Sequence, residues 1–599
     1  MKILGLSIGH DASVALVIDG KLISAVSSER VLREKKTHRL TWDVINYVLH
    51  PNGLTIDDID MVAIGKFTPT KDGFIRLFYK EEEIYEYPFG QIDPSYNSLF
   101  QNSKLVKGLG YEIFNDNNFY RPSVDYCQKD FITCNVLIDG SVLKQGIIIN
   151  HHLSHAASVF FTSDVDKAAI FSLDASGIEG TNSSAFYIGS GHEIQYVGSP
   201  ELMVGTLYNA MTEILGYGSG LHKAGTMMGA ASYGKPSQKI IDNWERLVQP
   251  YSNRNPKLDD FTFNLWAASY ITDKPIKSLY LWRDKDWEYL KNRDVNWQYI
   301  NHMIEGNNTI DSLENFNYAS STQYILERAI IKSINELYEH TEGLHNDNLC
   351  LVGGTILNCT SNYKTLNEMK FKNLHLYPAT SDDGTAVGAA LYQSVCLNHD
   401  GRKKHSISEI CYTGKEYEEL KTGIPYDEDY VAQMLSESKI VAWFQGGSEF
   451  GPRALGHRSF LANPTDSKMK DILNKRVKHR EWFRPFAPIV LQERCSEWFD
   501  IRVNSPYMLY SCPVKQPWLI PAVTHVDGTA RVQTLNKETN EKLYNLIKKF
   551  EGLTGVPVVL NTSLNVNGQP IVETPEEALE LFNSSDIDAI VIDNKMFLK

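Results

Sequence analysis

Residues 2–26 read KILGLSIGHDASVALVIDGKLISAV. Short apolar runs alternate with polar breaks, which is the pattern of strands rather than of a helical period. KILGLSI is one strand and SVALVI the next. Asp19 and Gly20 form a two-residue hairpin turn, and KLISAV is the returning strand. A similar order returns at 168–188, AAIFSLDASGIEGTNSSAFYI, where an apolar strand meets an acidic, Gly-containing turn and a second strand follows. Two strand–acid–Gly units at this spacing predict a duplicated α/β core that holds a phosphate between its halves. LCLVGGTILNC, 349–359, predicts a buried strand running into Gly353 and Gly354, where bare backbone can approach a ligand closely. The stretch from about 66 to 150 is rich in Tyr, Phe and acids and has no period, so it reads as an insertion in that core.

A polar, punctuated segment at 397–428 marks a linker. The strand-like runs after it, IVAWF, FAPIVL and VPVVLN, are short and Pro-bounded and predict an α+β domain. The expected division is 1–400 and 401–599, in keeping with a 599-residue chain too long for one core. A formal net charge of −14 argues against sequence-independent nucleic-acid binding, while leaving room for a local basic pocket. The eight cysteines are scattered and form no C-x-x-C pair, so neither a zinc knuckle nor a thioredoxin-like motif is signalled, and reduced thiols in the cytoplasm are the simplest reading. MKILGLSIG lacks the layout of a signal peptide, and no apolar run is long enough to span a bilayer.

GGSEFGPRALGHRS, 446–459, sets Arg453 and Arg458 in a Gly-rich turn behind an apolar strand. Guanidiniums and exposed backbone N–H groups suit an anion with several oxygens. Lys478, Arg480 and Arg484 follow in VKHREWFRPFAP, and Arg531 in HVDGTARVQ. Cations rarely punctuate apolar segments unless they are paired or hold a ligand. His151 and His155, in NHHLSHAAS, stand at i and i+4 and share a helix face, a spacing used by two imidazoles on one metal, whereas His152 points elsewhere. Taken alone, such a pair reads more readily as a polar helix start with no ligand. Asp174 and Asp382, each beside a Gly-containing turn, are the carboxylates to complete the set, which would suit Fe, Mn or Zn. His10, on the loop that closes the first strand, is a candidate general base. Asn561, Thr562 and Ser563 open a polar loop that could bind a base, a ribose or a carbamoyl group.

Jointly, HDAS, HHxxHA, GPRALGxRS, KHRExFRPFAP and NTSxN resemble the motifs of O-carbamoyltransferases of the nodulation, cephamycin and tobramycin type. The resemblance covers nearly the whole chain. It implies an N-terminal domain of the actin and sugar-kinase superfold, similar to the universal tRNA threonylcarbamoyladenosine protein. A carbamoyl-adenylate-forming domain, a twisted-sheet α+β fold, would follow it. It implies a two-step reaction in which carbamoyl phosphate and ATP, with Mg2+, give carbamoyl-adenylate, and a small-molecule hydroxyl then takes the carbamoyl group as AMP leaves. Arg453, Arg458, Lys478, Arg480, Arg484 and Arg531, with Asn561, Thr562 and Ser563, would serve the first step. A metal, iron first among the three, on His151, His155, Asp174 and Asp382 would serve the second. His10 would take the acceptor's proton, and Gly353, Gly354 and Asn358 would line the nucleotide. A homodimer is compatible with the family.

The chain departs from the family pattern in three places. Gly447 replaces a usual Arg, Ser28 replaces a Glu, and TMMGAA at 226–231 replaces a Lys-x-Met-Gly-Leu run, with Lys223 displaced. A tRNA-modifying or maturation-type carbamoyl transfer factor and an actin-superfold ATPase or kinase are the alternatives, with a non-catalytic binding module behind them. The net charge argues against the first, and the Arg-rich second domain is not needed by the kinase. Acids beside aromatics at 80–87 are a candidate site for a cationic acceptor.

Overall fold

The computed structural model describes residues 1–65, 74–77, 111–112, 131–138, 142–174, 183–200, 202, 204–248, 268, 271–272, 310–341 and 347–599. Strands β1 (Lys2–Ser7), β2 (Ser13–Ile18) and β3 (Lys21–Ser27) form an antiparallel meander. Its hairpin turn puts Asp19 at φ 49° and Gly20 at φ 81°, the left-handed pair that a two-residue turn between twisted strands requires. Strand β4 (Met61–Ile64) adds in parallel to β1. Strands β5 (Phe74–Leu77), β6 (Tyr111–Glu112), β7 (Phe131–Ile138) and β8 (Val142–Ile149) complete the order β3-β2-β1-β4-β8-β7-β5-β6.

Strands β9 (Lys167–Leu173), β10 (Ser184–Ser190), β11 (Glu193–Gly198), β12 (Asn348–Val352) and β13 (Asn373–His375) form a second sheet in the order β11-β10-β9-β12-β13. Each sheet is an antiparallel three-strand meander whose first strand carries two parallel additions on its far side. The repeated order is the duplicated α/β fold of the actin and sugar-kinase type.

One boundary needs correction. The stretch 66–150 reads as an insertion, yet β8 is an interior strand, parallel to β4 and antiparallel to β7. The core therefore resumes by Val142. The polar residues Lys144 and Gln145 break up its apolar run and hide the strand in the sequence. The acidic, Tyr-rich residues 80–87 and the turn at 175–182 lie outside the described residues.

Two helices face each other between the sheets. The helix His151–Thr162 begins because the Asn150 side chain accepts from the backbone N–H of His152 and Leu153, at 3.0 and 3.3 Å. The helix Gly384–Tyr392, GTAVGAALY, is almost free of bulk and packs against β1, β2 and the first helix. A Cβ on Gly388 would fall 1.7 Å from the Ser154 carbonyl oxygen, so only glycine permits this approach. The expected linker begins as an ordered strap. Arg402 donates to the carbonyls of Val165 and Ser163 at 2.7 Å each, tying down the end of the first helix. His405 Nε2 accepts from the Leu22 N–H at 3.0 Å.

Beyond the strap lies a nine-stranded mixed sheet with helices, the expected α+β domain. Its strands are β14 (Ile424–Pro425), β15 (Val441–Phe444), β16 (Arg458–Ala462), β17 (Ala487–Leu491), β18 (Tyr510–Pro513), β19 (Thr529–Leu535), β20 (Val558–Ser563), β21 (Ala589–Ile592) and β22 (Lys595–Leu598). They run in the order β14-β22-β21-β15-β16-β20-β17-β19-β18. This domain docks by a plug. Phe483, 2% exposed, packs into the core of the second N-terminal sheet, edge-on to Tyr217 and Phe316, while Trp482 stands edge-on to Tyr233 at 5.1 Å. Truncating Phe483 to Ala should cost about 3–5 kcal/mol, the range for emptying a buried aromatic site. Denaturant unfolding should then separate into two transitions, and an unchanged midpoint would rule out the plug as the anchor.

Candidate functional site

Two clusters of opposite character meet at this interface. The first is acidic and imidazole-rich. Asn150 starts the helix so that His151 and His155 share a face, with ring centroids 4.6 Å apart. Asp174 follows β9, and Asp382 stands just before the helix Gly384–Tyr392. His151 Nε2 lies 3.1 Å from Asp174 Oδ2 and 3.6 Å from Asp382 Oδ1, and His155 Nε2 lies 3.5 and 3.4 Å from the same two oxygens. One ligand atom from each residue lies within 4.8 Å of all the others, and all four residues are buried. His152 turns away, its Nδ1 2.9 Å from Ser172 Oγ, as the helical spacing requires.

Two nitrogens and two carboxylate oxygens around a common centre fit a divalent metal of the Fe, Mn or Zn kind. The electrostatics agree. Burial and Asp382 would both raise Asp174, but bonds from the two imidazoles outweigh them and hold it below the usual carboxylate range. Two buried carboxylates demand positive charge here, as protons or as a metal. Gly353 and Gly354 turn tightly against this centre, where a Cβ would fall 2.1 Å from the Leu173 carbonyl oxygen and 2.8 Å from Asp174 Oδ1, respectively. His10 sits on the rim. Its Nε2 is 3.2 Å from Asp382 Oδ2 and its Nδ1 is 3.4 Å from Asp11 Oδ2, while Asp11 also pairs with Lys36 at 3.3 Å.

The second cluster is cationic. Arg453, on the Gly-rich loop, reaches across to the other domain, its Nη2 donating to the Leu357 carbonyl at 3.4 Å. The Nε groups of Arg453 and Arg531 are buried with no hydrogen-bond partner among the described residues. Burial first, then the Arg531 and Arg484 charges, push Arg453 down from its ordinary value. Burial and the charges of Arg480, Arg484 and Lys35 lower Lys478 in the same way. Arg480 bonds Asn474 Oδ1 at 2.9 Å and the Pro485 carbonyl at 3.1 Å. The acid paired with this group is Glu481, 3.6 Å from Arg484 Nη1. Converging cations with unused donors are the electrostatics of a polyanion site.

Several of the expected ligands also have protein partners of their own. Arg458 is fully buried, stacked 3.5 Å over Phe444, and donates to the carbonyls of Gln445 (2.7 Å) and Gly446 (2.9 Å). Asn358 caps the helix Cys359–Glu368 through Ser361 N–H (3.0 Å) and exchanges amide bonds with Gln323. Asn561 donates to the Ala454 carbonyl at 2.9 Å and to Gln533 at 3.1 Å, beneath the loop. Lys478 binds the Ser563 carbonyl and hydroxyl and also Asn565, whose Oδ1 is 2.9 Å away. Thr562, half-buried, pairs in the sheet opposite Phe460.

The amides of the Gly-rich loop, expected to cradle an external anion, are taken by a residue the sequence reading passed over. Glu449 Oε1 accepts from the N–H groups of Leu455, His457 and Arg458 at 2.8, 2.8 and 3.0 Å. Burial would raise Glu449, but His457, Arg30, Arg458 and the amide bond outweigh it and keep it below its ordinary value. An acid inside a basic loop was the available signal. Arg30 also donates to the Gly451 carbonyl at 3.1 Å, so the loop is fixed from the other domain. The absent Arg at Gly447 has a steric cause, since a Cβ there would fall 2.2 Å from the Gly414 carbonyl oxygen.

Metal loading has a predictable pH dependence. Burial alone would lower His155, but bonds and charge from Asp174 and Asp382 raise it from 6.5 to about 9 in the metal-free chain. The stability this charge contributes is full below pH 6.5 and is lost as pH rises through about 9. Metal must displace that proton, so calorimetric Mn2+ affinity should rise over the same window. His151→Ala and Asp382→Asn should abolish binding. An affinity independent of pH would count against this ligand set.

Comparison with known proteins agrees with this two-part layout. The family model for the carbamoyltransferase N-terminus matches residues 2–391, and that for the carbamoyltransferase C-terminus matches residues 432–599. Nodulation protein NolNO of Sinorhizobium fredii is 30% identical over 615 residues, covering 98% of this chain and 79% of that protein. Nodulation protein NolO of Bradyrhizobium diazoefficiens is 31% identical over 466 residues, covering 74% of this chain and 78% of that protein. Among solved structures, T.kodakarensis HypF aligns with a TM-score of 0.29 and 11% identity, over 66% of this chain and 48% of that one. No helix among the described residues is long and apolar enough to cross a membrane. The chain belongs to the carbamoyltransferase family and is a transferase enzyme of carbamoyl groups.

Proposed function

We propose that the chain is an ATP-dependent O-carbamoyltransferase acting on a small-molecule hydroxyl. The observation that carries this reading is the reach of Arg453 across the domain interface to the Leu357 carbonyl, in the same turn as Gly354, which abuts Asp174 of the buried His/Asp cluster. In the first step, water opens carbamoyl phosphate to carbamate and phosphate. A carbamate oxygen then attacks the α-phosphorus of ATP, and pyrophosphate leaves. Arg453, Arg480, Arg484, Arg531 and Lys478 offset the charge of the meeting polyanions. Mg2+ accompanies the ATP.

In the second step the acceptor oxygen attacks the carbamoyl carbon, the bond to the adenylate oxygen breaks, and AMP leaves. His151, His155, Asp174 and Asp382 would hold a metal whose positive charge favours the leaving phosphate. Asp11, tied to Lys36, receives the His10 Nδ1–H. His10 Nε2, on the side of the cluster, then takes the acceptor's proton. A closed interface keeps water from the mixed anhydride. Nucleic acid and membrane play no part in this scheme.

The assay is pyrophosphate release from ATP with and without carbamoyl phosphate. Release should depend on carbamoyl phosphate, and Arg453→Ala should abolish it at unchanged folding stability. Arg458→Ala should instead cost about 3–5 kcal/mol of stability, because it removes one partner of a buried charge set. His10→Asn should keep pyrophosphate release and lose AMP formation with acceptor. Failure of both Arg453→Ala and His10→Asn at the same step would refute the division of labour.

A further inference from the structure

Between the two clusters lies the first turn of the helix Gly220–Ala231, which belongs to the N-terminal domain. Its residues look two ways. Lys223 Nζ lies 3.8 Å from Glu481 Oε1, and Glu481 Oε2 lies 3.6 Å from Arg484 Nη1, so one carboxylate of the C-terminal domain is shared by cations from both domains. Both separations are too long for good hydrogen bonds, and all three side chains are partly accessible, at 31%, 19% and 26%. His222, the preceding residue, lies in the field of Lys36, Asp11, Lys35 and His10, on the metal-cluster side. Lys35 stands among Glu29, Arg484, Lys36 and Lys223 and joins the two groups. Thr226, one turn further along the helix, is buried and uncharged, so Lys223 is the cation this face presents.

A loosely held carboxylate between two cations marks a place where an incoming anion can exchange with it. We infer that Lys223 and Arg484 form a phosphate subsite midway between the two clusters, with Glu481 as the internal anion that fills it when no nucleotide is present. Its ligand is a nucleoside monophosphate phosphate, in transit from the arginine cluster to the metal cluster. This rests on the adenylate reading above. It goes further by assigning Lys223 as a positioning residue from the opposite domain and Glu481 as a competitor of the substrate. Glu481 thereby couples the site's occupancy to the domain contact, because the entering phosphate takes over both of its cations.

The test is AMP and adenosine binding by titration calorimetry on the full chain. Lys223→Met should weaken AMP about tenfold, the loss of one charge-assisted contact, and leave adenosine unchanged. Lys223→Arg should retain AMP affinity. Glu481→Gln should tighten AMP, which a merely structural glutamate would not do. Equal AMP affinity in Lys223→Met, parallel loss of AMP and adenosine, or weaker AMP binding by Glu481→Gln would each overturn the subsite. Absence of carbamoyl-phosphate-dependent pyrophosphate release in the unmodified chain would instead overturn the adenylate reading, and the AMP series would still judge the subsite.

Discussion

The burial of Phe483 in the core of the neighbouring domain is the contact on which the rest of the site depends. It sits within the same short run as Lys478, Arg480, Glu481 and Arg484, so fixing one aromatic ring fixes where those charges point. Its aromatic partners Tyr217 and Phe316 come from the N-terminal domain. Polar bonds add to this plug, among them Arg30 to the Gly451 carbonyl and Arg453 to the Leu357 carbonyl, and together they set the two clusters relative to each other. With the plug in place, Glu481 and Arg484 of the C-terminal domain face Lys223 of the N-terminal domain.

That arrangement is electrostatically costly in the free protein. Burial lowers Lys478, Arg453, Arg480, Arg484 and Arg531 together, and mutual repulsion adds to the effect for Lys478, Arg453, Arg480 and Arg484. The fold offsets part of the cost with the Leu357, Ser563 and Pro485 carbonyls and with Glu481 at the interface. What remains is an excess of positive charge, the field that the polyanions of the proposed first step would meet. The loop that carries Arg453 is held as firmly as a core element, by Glu449 from within and Arg30 from outside. Arg458 uses its two terminal nitrogens on the Gln445 and Gly446 carbonyls within its own domain, whereas Arg453 reaches the Leu357 carbonyl of the other.

More of the His/Asp cluster than of the cationic cluster was legible in the sequence. The i, i+4 rule alone put His151 and His155 on one face and His152 off it, and the helix realises both. Arg453 and Arg458 looked equivalent in sequence because both stand in one loop. Only the fold separates them, since Arg458 begins strand β16 and is covered by Phe444, while Arg453 stands in the loop before that strand. Asn358 and Asn561 each have partners in the fold that spacing did not reveal. A buried amide bonds whichever backbone or side-chain groups the fold brings past it, and spacing does not tell which those will be.

From sequence alone came the strand–turn–strand grammar, the duplicated core, the α+β second domain and the pairing of histidines, because these depend on periods and turns that are local to the chain. Tertiary structure decided that β8 lies inside the first sheet between β4 and β7, that Gly447 must stay bare against Gly414, and that Lys223 meets Glu481. These depend on contacts between residues far apart in the chain, where the outcome is set by excluded volume and by the need to neutralise buried charge, and neither is written in any single stretch of sequence.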